Sequence, residues 1–228
     1  MTQMREGVLD HGYVELIDNK AHDIDVVNAA RVSFGRTSKS MAESDEKLIG
    51  FLMKNRHGTP FEHNYFKFQV RAPIFVFREW HRHRIGISIN ELSARYRELE
   101  TTFYLPAGRV RTQTGKPGHY KFETASADKE REALGMMIEV YDRAEAAYRD
   151  LLELGVAKEI ARCVLPVATY SEMHWTCNAR SLMSFLSLRN SEHAQREIRE
   201  YAQKMEKMFS KVMPITHRAF VDCGRVAP

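Results

Sequence analysis

The stretch RHRIGISINELSARY, Arg82 to Tyr96, gathers Arg82, Arg84 and Arg95 among short polar residues with little apolar material to bury. Arginine keeps its charge at any biological pH and presents a rigid fork of donors, which suits a phosphate or a ring carbonyl. Ser88, Asn90, Glu91 and Ser93 add the short donors and acceptors that orient a base or a sugar. The same residues also fit a solvated basic loop forming surface ion pairs with Glu91, Glu98 and Glu100. Composition alone leaves both readings open.

Two more clusters carry chemistry-bearing residues. In NRHGTPFEH, His57, Thr59, Glu62 and His63 are of the types that hold metals, and His81 and His83 could complete a site for a metal-dependent hydrolase. No pair has the helical H-E-x-x-H spacing and Pro60 interrupts the segment, so capping or hydrogen-bonding roles are preferred and no metal is expected. In NARSLMSFLSLRNSEHAQREI, Asn178 and Arg180 stand at a predicted helix start. Arg189 follows three turns later, near a second start at Ser191, with His193 and Gln195 behind it. Helix N-termini favour anions through their unpaired N–H groups, although an exposed polar helix end gives the same pattern.

Charge narrows the ligand. The formal net charge is +4, a mild excess that suits an anionic small molecule as well as nucleic acid. Few aromatics interleave with the arginines and Lys/Arg elsewhere is balanced by Asp/Glu, which favours a compact anion over nucleic acid. Neither G-x-G-x-x-G nor G-x-x-x-x-G-K-[ST] occurs. Cys163, Cys177 and Cys223 form no C-x-x-C pair and are expected to be buried, unreactive thiols. The N-terminal residues lack an apolar signal region and no run approaches the roughly 18 apolar residues of a membrane span, so a cytoplasmic protein without membrane contact is expected.

The elements that must position these residues make one α+β domain, residues 1–228, with an antiparallel sheet and long helices. It divides into a mixed α/β front segment (residues 1–105), a flap-like connection (residues 106–125) and a helical segment (residues 126–228). GYVELID reads as a strand, and in NYFKFQVRA the alternation of Phe66, Phe68 and Val70 with Lys67, Gln69 and Arg71 predicts a half-buried one. DIDVVNAARVSF and ESDEKLIGFLMKN have helical spacing, the second with Leu48, Phe51 and Leu52 on one side. Pro73 suits the first turn of a helix through IFVFREWHR, which leaves the arginine-rich stretch as a loop at a helix end. A long helix from Ser126 to Gly155 carries Leu134, Met137, Ile138, Tyr141, Tyr148 and Leu152 as a stripe. Asn178 caps one later helix, and Ser191 caps another whose Ile198, Tyr201, Met205 and Phe209 face the core.

RHRIGISINELSARY resembles the signature of the flavin-dependent thymidylate synthases: Arg-His-Arg, two residues, Ser, any, Asn, two, Ser, any, Arg-Tyr. Arg82, His83, Arg84, Ser88, Asn90, Ser93, Arg95 and Tyr96 match it, with three residues, Ile85 to Ile87, where the pattern has two. HGTPFEH and ARCVLP…NARSLMSFLSLRNSEHAQREI resemble the family's upstream flavin segment and its C-terminal substrate segment. The resemblance implies transfer of the methylene of 5,10-methylenetetrahydrofolate to C5 of dUMP, with hydride from FAD that NADPH recharges. It also implies a homotetramer with active sites shared between subunits.

By this resemblance Thr59, Arg82, His83, Arg84, Glu91, Asn178 and Arg180 are flavin-binding residues, and His57 lies beside the flavin ring. Arg82, Glu91, Ser93, Arg95 and Arg162 bind dUMP, and Glu79 stands where some members have Gln. Arg189 is the catalytic residue, a fixed cation that stabilises negative charge on the pyrimidine as C5 becomes nucleophilic. No cysteine sits in a recognisable nucleophile context, unlike the unrelated thymidylate synthases that use one. The alternative is a non-catalytic nucleotide- or RNA-binding protein using the same arginines.

Overall fold

A computed structural model describes residues 4–228. Its contacts divide the chain into two compact units. The first comprises the chain up to Ala72, Val76–Glu91 and Ser171–Pro228; the second comprises Pro73–Phe75 and Leu92–Tyr170. Among the described residues no helix is long and apolar enough to cross a membrane.

In the first unit, β1 (Met4–Val8) and β2 (Gly12–Lys20) form an antiparallel hairpin. Helices α1 (Asp23–Arg31) and α2 (Glu43–Lys54) follow, joined through Arg31, which bonds both Ser38 and Asp45. Next come β3 (Tyr65–Pro73), α3 (Ile74–Trp80) and β4 (Ile87–Glu91). Across β3 the alternation resolves as expected: Phe66, Phe68 and Val70 are fully buried and the residues between them are not. Each such side chain contributes about 2–3 kcal/mol by leaving water.

The second unit carries the hairpin of β5 (Arg111–Lys116) and β6 (His119–Thr124), then α4 (Ala127–Glu153) and α5 (Lys158–Ala161). Ser126 caps α4 by accepting from Lys129 N at 3.5 Å, and Gly155 ends it with φ +79°. Of the predicted stripe Tyr148 is buried, Leu134, Met137, Tyr141 and Leu152 are half-buried, and Ile138 is exposed, so this unit covers the helix only in part. Tyr148 Oη takes the Leu99 N–H at 3.2 Å, and Tyr141 Oη donates to Tyr104 O at 3.2 Å.

The chain then returns to the first unit through β7 (Tyr170–Cys177), completing a five-stranded sheet of order β1-β2-β3-β7-β4. Helices α6 (Ala179–Arg189), α7 (Arg196–Val212) and α8 (Pro214–Asp222) close this unit. The α7 stripe of Ile198, Tyr201, Met205 and Phe209 is fully buried, and Phe209 meets Phe66 edge-on at 5.8 Å.

Five local expectations are corrected. Residues 87–91, read as loop, form β4, because Ile87 and Ile89 are half-buried and pair with Cys177 and Trp175. Pro73 ends β3 and does not open the helix, which begins at Ile74. Phe51 is exposed on α2, whose buried face is Asp45, Ile49, Leu52 and Met53. Ser191 caps a tight turn, not α7: it takes the His193 N–H on its hydroxyl at 3.3 Å and the Ala194 N–H on its carbonyl at 3.0 Å. Helix α7 starts only after Gln195. Of the three thiols only Cys177 is buried; Cys163 is exposed because it lies on a short 3-10 turn, Arg162–Val164, with no buried residue, and Cys223 is half-buried just past α8.

Candidate active site

Everything around Arg189 depends on how α3 meets α6. Trp80 stacks on Phe185 at 4.9 Å and meets Trp175 edge-on at 5.9 Å, all three fully buried. This aromatic wedge brings Glu79 and His83 to Arg189, more than a hundred residues later in the chain. Arg189 donates from Nη1 to Glu79 Oε2 at 2.5 Å, from Nη2 to Glu79 O at 2.9 Å and from Nε to His83 Nε2 at 3.0 Å. A guanidinium has five N–H groups, so one remains on each Nη for a ligand.

Because arginine only donates, the bond to Nε2 makes His83 an acceptor there and leaves its proton on Nδ1. Burial against Phe185, and then the Arg189 charge, lower the His83 pKa from 6.5 to about 4. At neutral pH the arginine is therefore held by a neutral ring and a carboxylate, the latter 41% exposed.

A cavity of about 770 Å³ opens from this point. Arg82, Arg84, Arg180 and Arg189 line it, with Glu62 the one acidic side chain in the lining among the described residues, and Arg180 Nε donates to Pro228 O at 2.8 Å. Glu62 is bonded to Arg180 at 2.5 Å. Among the described residues Arg82 and Arg84 have no carboxylate partner. Asn178 caps α6 by accepting from Ser181 N at 2.8 Å, and its amide nitrogen faces Gly86. Gly86 has φ +66°, and a Cβ there would stand 2.5 Å from Ser181 Oγ and 2.9 Å from Asn178 Nδ2. Only glycine takes that conformation in that space, so the additional residue of the Ile85–Ile87 segment is absorbed by a left-handed turn.

Gly58 has an ordinary φ of −73°, and a Cβ there would meet the Arg180 guanidinium, the movable end of a long side chain. His57 and Thr59, on either side of it, are exposed at the start of a short 3-10 turn, Thr59–Glu62. Glu91 sits at the end of β4 and accepts from Ser171 Oγ at 2.8 Å, with His81 Nε2 3.8 Å from its other oxygen. Ser93, Arg95 and Arg162 belong to the second unit. There Arg95 Nη2 donates to Tyr96 Oη at 3.2 Å and Arg162 Nε to Glu159 O at 3.3 Å. Among the described residues no three His, Cys, Asp or Glu side chains stand together as a metal site.

This geometry suits a bulky, multiply anionic ligand, and comparison with known proteins gives its family. The model of the family described as thymidylate synthase complementing protein matches residues 15–215. The flavin-dependent thymidylate synthase of Streptomyces coelicolor is 49% identical, the match spanning 94% of this chain and 93% of the relative. That of Thermosipho melanesiensis is 45% identical over 94% and 92%. The chain belongs to the flavin-dependent thymidylate synthase family. The UMP/dUMP methylase PolB of Streptomyces cacaoi, solved with 5-Br UMP, superposes with a TM-score of 0.88 at 45% identity, covering 97% of this chain and 100% of that one.

As a synthase of this family the protein is an enzyme, which displaces the reading as a non-catalytic binding module, and the family name carries a flavin. The cavity fits such a cofactor: Arg82 and Arg84, without a carboxylate partner among the described residues, answer the phosphate of a flavin nucleotide, and the close approach at Gly86 keeps that part of the wall free of side-chain bulk. Sequence reasoning missed Ser181, buried and donating to Ile85 O at 2.8 Å, and also Leu188 in the lining. It weighed Glu62 only as a metal ligand. Nothing in the spacing of these residues distinguishes them from ordinary helix positions.

Proposed function

We propose that the chain, acting as one domain over residues 1–228, converts dUMP to dTMP by reductive methylation. FAD is the resident cofactor, and NADPH and 5,10-methylenetetrahydrofolate are co-substrates. The observation that carries this reading is one cavity concentrating Arg82, Arg84, Arg180 and Arg189, two of them without a partner among the described residues. When bound, the flavin supplies the hydride that reduces the transferred methylene.

The chain's own residues do the rest. Arg82, Arg84, Arg180 and Asn178 hold the cofactor diphosphate, with His57, Thr59 and Glu91 completing its contacts. For the phosphate and sugar of dUMP the candidates are Ser93, Arg95 and Arg162 in the second unit and Arg82 and Glu91 in the first. His83 fixes Arg189 as a neutral acceptor, and Glu79 orients it from the other side. The two remaining Nη hydrogens of Arg189 then point charge at the pyrimidine carbonyl as C5 becomes nucleophilic.

Exposed Met136 and Val140 on α4, 65% and 56% accessible, support assembly of the family's homotetramer. Purified protein should be yellow and should release tritium from C5-labelled dUMP only with folate and NADPH present. Colourless protein that takes up no flavin and releases no tritium would sink the proposal. Because PolB is a UMP/dUMP methylase, labelled UMP belongs in the same assay.

A further inference from the structure

A second cavity, of about 740 Å³, is walled by α2 and α8 and shares no lining residue with the arginine cavity. Its size is that of a small-molecule site. Met53, Ile215 and Ala219 give it an apolar floor. Gly50 keeps it open, since a Cβ there would meet nothing within 4 Å. A glycine inside a helix costs stability relative to alanine, so α2 is weakened at the residue that makes the room.

Arg56, at the rim, is a second local penalty. Helix α2 ends in a left-handed cap, with Arg56 N donating to Met53 O at 3.1 Å and His57 N to Leu52 O at 2.9 Å. Arg56 itself has φ +56°, the position at which glycine is the residue of low cost. Of the two residues that disfavour this helix, one supplies space and the other charge, and both face one cavity.

The charges around the rim are unequal. Glu46 is taken by Arg218 at 2.6 Å, and Lys47 by Glu43 at 2.9 Å. Lys54 and Arg56 have no ion-pair partner among the described residues, against a single uncommitted carboxylate, Asp222. We infer that this cavity binds a small organic anion. Its apolar body rests on Met53, Ile215 and Ala219, and its carboxylate, sulfonate or phosphate is taken by Lys54 and Arg56.

The probe is 8-anilinonaphthalene-1-sulfonate, an apolar body carrying one sulfonate. It is titrated into the full-length, flavin-loaded protein under saturating dUMP, so that the arginine cavity is filled. One dye per chain is expected. Arg56→Gly should weaken binding about tenfold by removing a charged hydrogen bond. The same change should raise Tm by about 2–4 °C by relieving the left-handed arginine. Gly50→Phe should abolish binding by filling the cavity, and Lys54→Ala, on an exposed side chain, should weaken it several-fold whether or not the Phe variant folds. Absence of dye binding under dUMP, or binding unchanged in Arg56→Gly and Lys54→Ala, would overturn the inference.

Discussion

Lowering the pH from 7 to 4 takes away the acceptor on which Arg189 Nε depends. His83 Nε2 holds that N–H at 3.0 Å, and protonation would replace the lone pair with a second cation against the guanidinium. Burial first, and the Arg189 charge second, keep the folded pKa at about 4, whereas the unfolded histidine takes up its proton near 6.5. Between those values the unfolded chain binds more protons than the folded one. The stability tied to neutral His83 is therefore complete above pH 6.5, is lost as the pH falls toward 4, and changes no further below that. At about 1.4 kcal/mol per pH unit, the window amounts to about 3 kcal/mol. Glutamine offers a neutral acceptor that does not titrate. Urea unfolding of wild type and His83→Gln, at fixed protein concentration from pH 7 to 4, should show the variant losing about 3 kcal/mol less. Carboxylates such as Glu206 titrate in both proteins and cancel in the difference. Identical pH dependence in the two proteins would refute the assignment of the histidine as a buried neutral acceptor.

Gly86→Ala forces a Cβ against Ser181 Oγ at φ +66°, so it should cost about 2 kcal/mol and reduce flavin retention; wild-type Tm and flavin content would show that the turn is not tight. Glu79→Gln keeps a hydrogen-bonding partner for Arg189 but removes a negative charge beside it. It should tighten dUMP binding a few-fold with turnover retained, roughly 1 kcal/mol for a half-exposed pair. A loss of turnover beyond about tenfold would mean instead that the carboxylate charge holds Arg189 in place. Burial raises the Cys177 thiol well above its ordinary range, so it stays protonated and unreactive. Cys177→Ala and Cys163→Ala should each keep more than about a tenth of wild-type activity in the tritium assay, and total loss in either would reinstate a cysteine nucleophile.

The elements legible in the sequence were those whose pattern is decided by burial on one side only. β3 alternates because one face is buried, with Phe66 against Phe209 of α7 and Phe68 against Trp175 of β7, and both β3 and the α7 stripe were readable from periodicity. β4 was not readable, since an edge strand of five residues with only Ile87 and Ile89 partly covered carries too weak an alternation to separate it from loop. Helix α4 failed in another way. Its stripe is real in the sequence, yet within one chain most of it is only half-buried and Ile138 is exposed, so periodicity reported an apolar face without reporting how fully it is covered. Ser191 misled because the residue type that caps helices also closes tight turns, and the choice between them rests on backbone angles four residues away.

The candidate site divides along a similar line. Arg82, Arg84, Asn178 and Arg180 were singled out from a linear motif or a helix start, and they share one cavity because α6 begins directly after the strand that pairs with β4. The state of Arg189 could not be read that way. Three of its five N–H groups are spent on Glu79 and His83, partners 110 and 106 residues away, and only the stacking of Trp80 on Phe185 brings them together. That spending changes the chemistry assigned to the residue. A free guanidinium would be a mobile cation, whereas one held on three sides offers two N–H groups in fixed directions, and electrostatic stabilisation of a reacting ring depends on that preorganisation. Sequence supplied the charge, and tertiary packing supplied its direction.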